Sequence, residues 1–498
     1  MVFQKQWNGI KNLEKGKVQN NKKNNNFKKA YNSRPKPYFS EIINDDKIAA
    51  PRVIKECSNN FLGDFDIKRD RYFSSEFVCL EEKNIWNKVW QFACREEDIP
   101  SVGDYYVYDI LDWSILIVRS EKNKINAFIN SCLHRGTQIK PSNSCGYSET
   151  LRCPFHGWEW QLNGDLNKIP CDWDFPHINK DKANLYKVKV DTWGGFVFIN
   201  LDNNSIPLQE YLSVIPEHFR DWDMANRRKA AHVAKIIPCN WKFAVEAFLE
   251  GYHVKETHPQ ALPYTGDTNC QYDYWGDHIS RMMSGLGTPS PNLDLNNISD
   301  KDTIESMRDL VSYLDGDLDE NIKQIKPREF LAKSMRDILT KSTGVDHSEF
   351  STSEIIDAIQ YFVFPNFIPW AGYGVPIVYR FRPNGHDPDS SIFEVILLYE
   401  SSDKNFESDP YINWLEPDDS WTKAVELGGL GILFDQDEAA FKAGQNGLKA
   451  SLKKGSTFSF KSPGKNPKRS PASTAGLDKI ILFTLPSCRA ETALATAK

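Results

Sequence analysis

No stretch of this 498-residue chain is apolar over the roughly 18 residues that a membrane-crossing helix needs. The N-terminal segment lacks the apolar core of a secretory signal. Cysteine is sparse, ten residues unevenly spaced, which argues against a disulfide scaffold. A net charge of -6 is too mild to point to nucleic acid or a membrane as partner. No internal repeat occurs. These absences set the expectation of a soluble, cytoplasmic protein with reduced thiols. What is present suits sizeable cores: 40% hydrophobic and 12% aromatic residues, in a length natural for two or three domains.

Residues 1–38 carry ten Lys or Arg, one Glu and eight Asn, a composition that cannot bury enough apolar surface to offset its ordering entropy. They are expected to be disordered. A transit peptide would favour Arg and Ser over Lys and Asn. Beyond Tyr38 the chain reads as globular, with a helical period over 77–90. Between 103 and 201, short β-branched and aromatic runs such as "DYYVYDI", "WSILIVRS", "INAFIN" and "GGFVFINL" are separated by Gly, Asp and Asn, which predicts a small all-β domain. Helical texture returns after 205. It is strongest in "NWKFAVEAFLEGYH" (240–253) and continues in 303–341. Three strands of an antiparallel sheet are expected over 358–400, and a helix over 436–448, ending near Gly447. From Lys453 the chain is rich in Lys, Ser, Pro and Gly, with one apolar patch at 480–485.

Two matched pairs stand inside the all-β region: Cys132-x-His134 and Cys153-x2-His156. Two Cys and two His can hold structural zinc, which usually groups like with like. They can also hold a Rieske [2Fe–2S] cluster, two Cys on one iron and two His on the other. The mixed pairing favours the cluster, because one Cys and one His on each of two loops let the loops clamp both irons. Cys145, between the pairs, reads as an ordinary loop cysteine.

"CLHRGTQI…CPFHGWEW" resembles the Rieske motif of the aromatic-ring-hydroxylating oxygenases, alpha (large) subunit. Rieske proteins of cytochrome bc complexes carry an extra cysteine in each loop, where this chain has Thr137 and Phe155. They also place hydroxyls near the cluster sulfurs, where this chain has Trp158. Fewer hydrogen bonds to the sulfurs imply a lower reduction potential.

A second constellation lies in "FLEGYHVKETHPQ". Glu250 and His253, three apart, are expected to share a helix face. Pro259 should end the helix near His258, freeing that side chain to turn back. Two His and one carboxylate are the usual ligands of non-haem iron with open positions. Asp435, Asp437 and Glu438 are the candidate distant carboxylates. With Asn240-Trp241-Lys242 leading in, the stretch resembles the catalytic motif of the same family, acid-x2-His-x4-His, in which both His bind iron. The resemblance implies three further assignments. Asp437 is the third ligand, because the pattern Asp-x7-Gln-x-Gly-Leu fits only from there; Asp435 and Glu438 then read as surface charges at a helix N-terminus. Glu250, where the family usually has Asp, links an iron ligand to His134 or His156 of a neighbouring subunit. Asn240 joins the catalytic set.

The resemblance covers about 60–448 and implies an α+β fold. A Rieske domain would occupy 86–205. A helix-grip catalytic domain would occupy 206–452, with 39–85 as its N-terminal part and 453–498 as a divergent tail, or the product of an altered frame near 455. The implied protein is a terminal oxygenase, a homotrimer or one joined by a small beta subunit. It would take electrons from NAD(P)H through a ferredoxin or flavin reductase to hydroxylate or demethylate an organic, aromatic substrate with O2. Loop 259–300 and strands 359–381, with Phe362, Phe364 and Tyr379, are the expected pocket walls, although aromatics at strand spacing are more often core. A quaternary-ammonium monooxygenase is the runner-up, and a stand-alone Rieske electron carrier is the alternative of another class.

Overall fold

The computed structural model describes residues 36–58, 66–307, 325–400 and 411–457. The basic segment up to residue 35 and the patch at 480–485 lie outside the described residues.

Ser74 starts helix α1 (Ser75–Glu81) by accepting from the Phe77 N–H with its hydroxyl. A wider turn, Glu82–Trp86, follows and ends the helical stretch four residues before the sequence period does. Gln91 donates back to the Trp86 carbonyl there, turning the chain into a strand.

The first sheet contains β1 (Gln91–Arg95), β2 (Asp104–Ile110), β3 (Trp113–Glu121), β4 (Lys124–Ile129) and β5 (Cys145–Tyr147). Three short strands, β6 (Leu151–Arg152), β7 (Glu159–Trp160) and β8 (Leu166–Lys168), form a separate sheet. β9 (Lys187–Trp193) and β10 (Phe196–Asn200) return to the first, whose order is β1-β10-β9-β4-β3-β2-β5. Ile110 pairs with Trp113, leaving a two-residue turn at Leu111–Asp112. Cys145 therefore opens a strand rather than sitting in a loop.

The second sheet begins with β11 (Arg228–Ile237). Helices α2 (Trp241–Phe248) and α3 (Val254–Thr257) follow, then β12 (Gln271–Trp275) and β13 (Ile279–Ser284). The helical texture of 303–341 resolves into α4 (Asp300–Ser306) and α5 (Pro327–Thr343), with 308–324 outside the described residues. The three expected strands are four: β14 (Ala358–Val363), β15 (Ile368–Ala371), β16 (Ile377–Asn384) and β17 (Asp387–Tyr399). β18 (Asn413–Leu415) completes the order β12-β13-β14-β15-β16-β17-β11-β18. Every pairing is antiparallel except β11 with β18.

The last helix among the described residues, α6 (Leu430–Ala450), starts six residues before the expected one and runs three past Gly447. Phe248, at the end of α2, holds α6 against the sheet. Its ring centroid lies 5.0 Å from Tyr379 and Phe393 and 6.0 Å from Phe434 and Phe441. Each such buried ring contributes about 1.5–3 kcal/mol. Phe362, Phe364 and Tyr379 belong to this core and are buried.

Charged and polar groups fasten the two sheets to each other. Arg382 donates to the Asp109 carbonyl at 2.7 Å, and Asn366 exchanges bonds with both backbone groups of Phe92. Glu394, fully buried, accepts from His232, Arg380 and Arg382. Burial alone would raise its carboxyl, but the two guanidinium groups hold it well below the usual carboxylate range. No helix among the described residues is long and apolar enough to cross a membrane.

Candidate metal centres

Two loops of equal design carry the first constellation. In one, Cys132 N–H donates to the Thr137 carbonyl at 2.8 Å and Gly136 N–H returns to the Cys132 carbonyl. In the other, Cys153 N–H donates to Trp158 and Gly157 N–H returns to Cys153. Gly136 and Gly157 take the same positive φ, 77° and 72°, which a side chain rarely adopts. Both thiols are buried. Burial raises the Cys132 thiol, and the neighbouring Cys153 pushes in the same direction. The His134 and His156 rings lie 4.6 Å apart, with His134 stacked on Trp158. Buried Nδ1 of His134 has no hydrogen-bond partner, as befits an atom left for a metal.

Tetrahedral zinc would bring all four donor atoms within about 4 Å of one another. Among the described residues, groups of three or more with donor atoms inside 4.8 Å are His253, His258 and Asp437, and Glu82, Asp112 and His386. Cys132, His134, Cys153 and His156 form no such group. Thiols paired on one side and imidazoles on the other fit a two-iron cluster. The Glu82 group sits at the surface, where His386 spends its Nε2 on Glu82 at 3.1 Å.

The mononuclear constellation starts at Asn240. Its side chain accepts from Lys242 N–H to cap α2 and donates to the Pro388 carbonyl at 3.0 Å. These contacts are those of a helix cap. Trp241 and Lys242 both reach Glu81 on α1. The indole N–H donates to Oε2 at 3.1 Å, and the ammonium lies 2.6 Å from Oε1 without hydrogen-bond alignment.

The helix expected over 240–253 breaks after Phe248, so Glu250 and His253 share no helix face. Gly251 explains the break. A Cβ there would lie 2.5 Å from the Asp267 carbonyl and 2.9 Å from Cys270 Sγ. Its N–H donates to the Tyr272 hydroxyl instead of continuing the helix. Glu250 then takes two jobs. Oε2 accepts from the N–H groups of Tyr252 and His253, at the start of α3, and Oε1 accepts from His253 Nδ1 at 2.9 Å. The carboxylate thus braces His253, of the two histidines. α3 ends at Thr257, before Pro259, and His258 turns out of the helix with φ −125°.

Nε2 of His258 lies 3.0 Å from Asp437 Oδ1, and Nε2 of His253 lies 3.6 Å from the same oxygen. Two imidazoles and one carboxylate, with Asp437 only 6% exposed, are a group that could hold a metal ion on one face. Asp435 and Glu438 are not charges at a helix N-terminus, since α6 begins at Leu430. Asp435 accepts from Trp421 N–H and the Ser420 hydroxyl; Glu438 accepts from the Trp421 indole and Lys235. Gln445, eight residues after Asp437, ties α6 to the start of α2. Its Oε1 accepts from Asn240 N–H at 3.2 Å, and its Nε2 donates to the Tyr72 carbonyl. Sequence reasoning missed Tyr272, Gln436 and Gln260. Gln436 accepts from His258 Nδ1, and its place directly before Asp437 was the available signal.

Two family models match the chain: the Rieske [2Fe-2S] domain over residues 89–179, and the ring hydroxylating alpha subunit (catalytic domain) over 219–464. The chain belongs to the Rieske oxygenase alpha subunits. It therefore has the domain of a [2Fe–2S] cluster and the catalytic domain of non-haem iron oxygenases. Among curated relatives of this family, 2-aminobenzenesulfonate 2,3-dioxygenase subunit alpha of Alcaligenes sp is 32% identical over 188 residues, 36% of this chain and 47% of that one. The carnitine monooxygenase oxygenase subunit of Escherichia coli (strain K12) is 30% identical over 181 residues, 36% of this chain and 48% of that one. The matched region spans about half the length of these relatives. Two solved structures share the fold. A quaternary ammonium Rieske monooxygenase with L-carnitine has TM-score 0.56 and 15% identity, covering 91% of this chain and 99% of that one. Naphthalene 1,2-dioxygenase bound to phenanthrene has TM-score 0.58 and 17% identity, covering 86% and 94%.

Proposed function

We propose that this chain is the terminal oxygenase of a multicomponent system. It would take electrons from NAD(P)H through a ferredoxin or flavin reductase and use O2 to hydroxylate or demethylate an organic substrate. The observation that carries this reading is the presence of two separate donor sets in one chain. Cys132, His134, Cys153 and His156 would hold the cluster, and His253, His258 and Asp437 the mononuclear iron. When bound, the cluster supplies electrons singly and the iron supplies open positions for oxygen chemistry. The protein's own residues prepare the second site. Glu250 and Gln436 each take a proton-bearing Nδ1, so both Nε2 atoms face Asp437. The aromatic core around Phe248 packs against Phe434 and Phe441 of α6, the helix that carries Asp437.

A head-to-tail homotrimer, with or without a beta subunit, fits two exposed aromatics, Phe155 (58%) beside His156 and Tyr252 (66%) beside His253. A neighbouring chain would cover both. Glu250 Oε1 accepts one hydrogen bond and has two lone pairs, which leaves room to accept from a partner histidine as well. A quaternary-ammonium substrate is the second reading. It is favoured by Glu250 in the acid position and by the carnitine and glycine betaine monooxygenases among the relatives. Iron content tests the class: three per chain for an oxygenase, two for a stand-alone electron carrier. Oxygen uptake by the reconstituted protein across aromatic and quaternary-ammonium panels tests the substrate; uptake with neither class would overturn both readings.

A further inference from the structure

We infer that Gln436, locked by Gln260, is the positioning residue that selects the metal-binding tautomer of His258. The inference rests on the proposed iron site at His253, His258 and Asp437.

The two histidines are braced by different chemistry. His253 gives its Nδ1 proton to a carboxylate, Glu250. His258 gives its Nδ1 proton to a neutral carboxamide oxygen, Gln436 Oε1, at 2.8 Å. A carboxylate only accepts, so Glu250 fixes its histidine unconditionally. A carboxamide has an accepting end and a donating end. Turned the other way, Gln436 would put NH2 on Nδ1, force the proton onto Nε2, and close the atom that faces Asp437 at 3.0 Å.

A third residue decides which way it faces. Gln260, in the turn just after His258, donates its Nε2 to the same Gln436 Oε1 at 2.8 Å, and its Oε1 receives Gln436 Nε2 at 3.4 Å. Gln436 Oε1 thus collects two donors, His258 and Gln260. Turning Gln436 alone would set donor against donor at both contacts. The paired amides hold Nε2 of His258 bare for a metal. They also join the turn that carries His258 to the helix that carries Asp437.

The test measures iron, not turnover. Purified full-length protein is reconstituted with Fe(II), and its mononuclear iron is followed during exposure to a ferrous chelator. Cluster EPR and thermal melting are recorded on the same samples. Gln436→Leu removes the acceptor at similar size. It should weaken iron binding by about 10–100-fold while leaving the cluster signal intact. Gln436→Glu, which offers only acceptors, should restore wild-type retention or exceed it. Gln260→Leu should fall between. A purely structural role would lower melting temperature in Gln436→Leu without moving iron release, and iron release within twofold of wild type overturns the inference. If wild type holds no mononuclear iron, or His258→Ala keeps it, the iron site itself fails and the inference falls with it.

Discussion

Replacing Glu250 with Gln removes one charge and exchanges one oxygen for NH2. The structure gives this carboxylate three donors: Nδ1 of His253 on Oε1, and the N–H groups of Tyr252 and His253 on Oε2. An amide can keep its oxygen on the imidazole or on the backbone, not on both. Whichever it chooses, the NH2 meets a donor at the other end. A hydrogen bond to a charged group contributes about 1.5–3 kcal/mol, and the side chain is 20% exposed, so the lower half of that range applies. About 1.5–2.2 kcal/mol corresponds to roughly 10–40-fold. A link to a neighbouring cluster histidine would add to this, within the 10–100-fold typical of groups that orient metal ligands. The expected protein keeps its cluster spectrum, binds iron when iron is in excess, and is reduced normally at the cluster. Its reoxidation by O2 with substrate, followed by stopped-flow, slows by about 10–100-fold. Wild-type reoxidation in Glu250→Gln would refute the reasoning and leave Glu250 as a helix cap.

Cys132→Ser or His156→Ala should abolish the [2Fe–2S] EPR signal. His253→Ala, His258→Ala and Asp437→Ala should each lose mononuclear iron and retain that signal, whereas Asp435→Ala should keep the iron; the reverse for Asp435 and Asp437 would overturn the carboxylate assignment. Gly251→Ala should cost about 1–3 kcal/mol in chemical denaturation, because its Cβ meets a backbone carbonyl that cannot move aside, and should weaken iron binding as the Glu250 turn shifts. His218 is buried against Tyr361 with its pKa lowered from 6.5 to about 4, burial being the main cause. The unfolded chain binds the extra proton first, so stability is full above about pH 6.5 and declines as pH falls towards 4. Melting temperatures of His218→Gln against pH should show a flatter decline; parallel curves would refute it.

The candidate metal-ligand sets were visible in sequence because ligand chemistry fixes residue type and spacing. Cys132-x-His134 and Cys153-x2-His156 need only loops of the right length, and the loops closed by Gly136 and Gly157 have it. The strands from Asp104 to Glu121 were legible for a similar reason, since β-branched and aromatic alternation decides a strand locally. The helix break after Phe248 was not legible. "NWKFAVEAFLEGYH" keeps its helical period through Glu250, and what stops the helix is the Asp267 carbonyl and Cys270 Sγ packed against Gly251, contacts made across sequence. The early start of α6 at Leu430 was hidden for the converse reason. Asp435 and Glu438 looked like first-turn charges because their partners, Trp421 and Lys235, lie outside the window that a periodicity inspects.

A separation of labour follows from which contacts carry each ligand. His253 and His258 flank a four-residue helix, too short to be stable alone. Its geometry is imposed from both ends. At the N-terminal end, Glu250 caps the turn and Tyr272 receives the Gly251 N–H. At the C-terminal end, Gln436 takes the His258 proton. Asp437 is placed by a different set of contacts, for α6 is tied through Gln445 to Asn240 and Tyr72. The residues of Asn240-Trp241-Lys242 hold these parts together. Asn240 bonds Gln445, while Trp241 and Lys242 meet Glu81. The motif joins the helix that starts at Trp241 to the helix that starts at Leu430 and carries Asp437. Its loss should scatter all three ligands at once, whereas loss of Glu250 or Gln436 should misorient a single histidine.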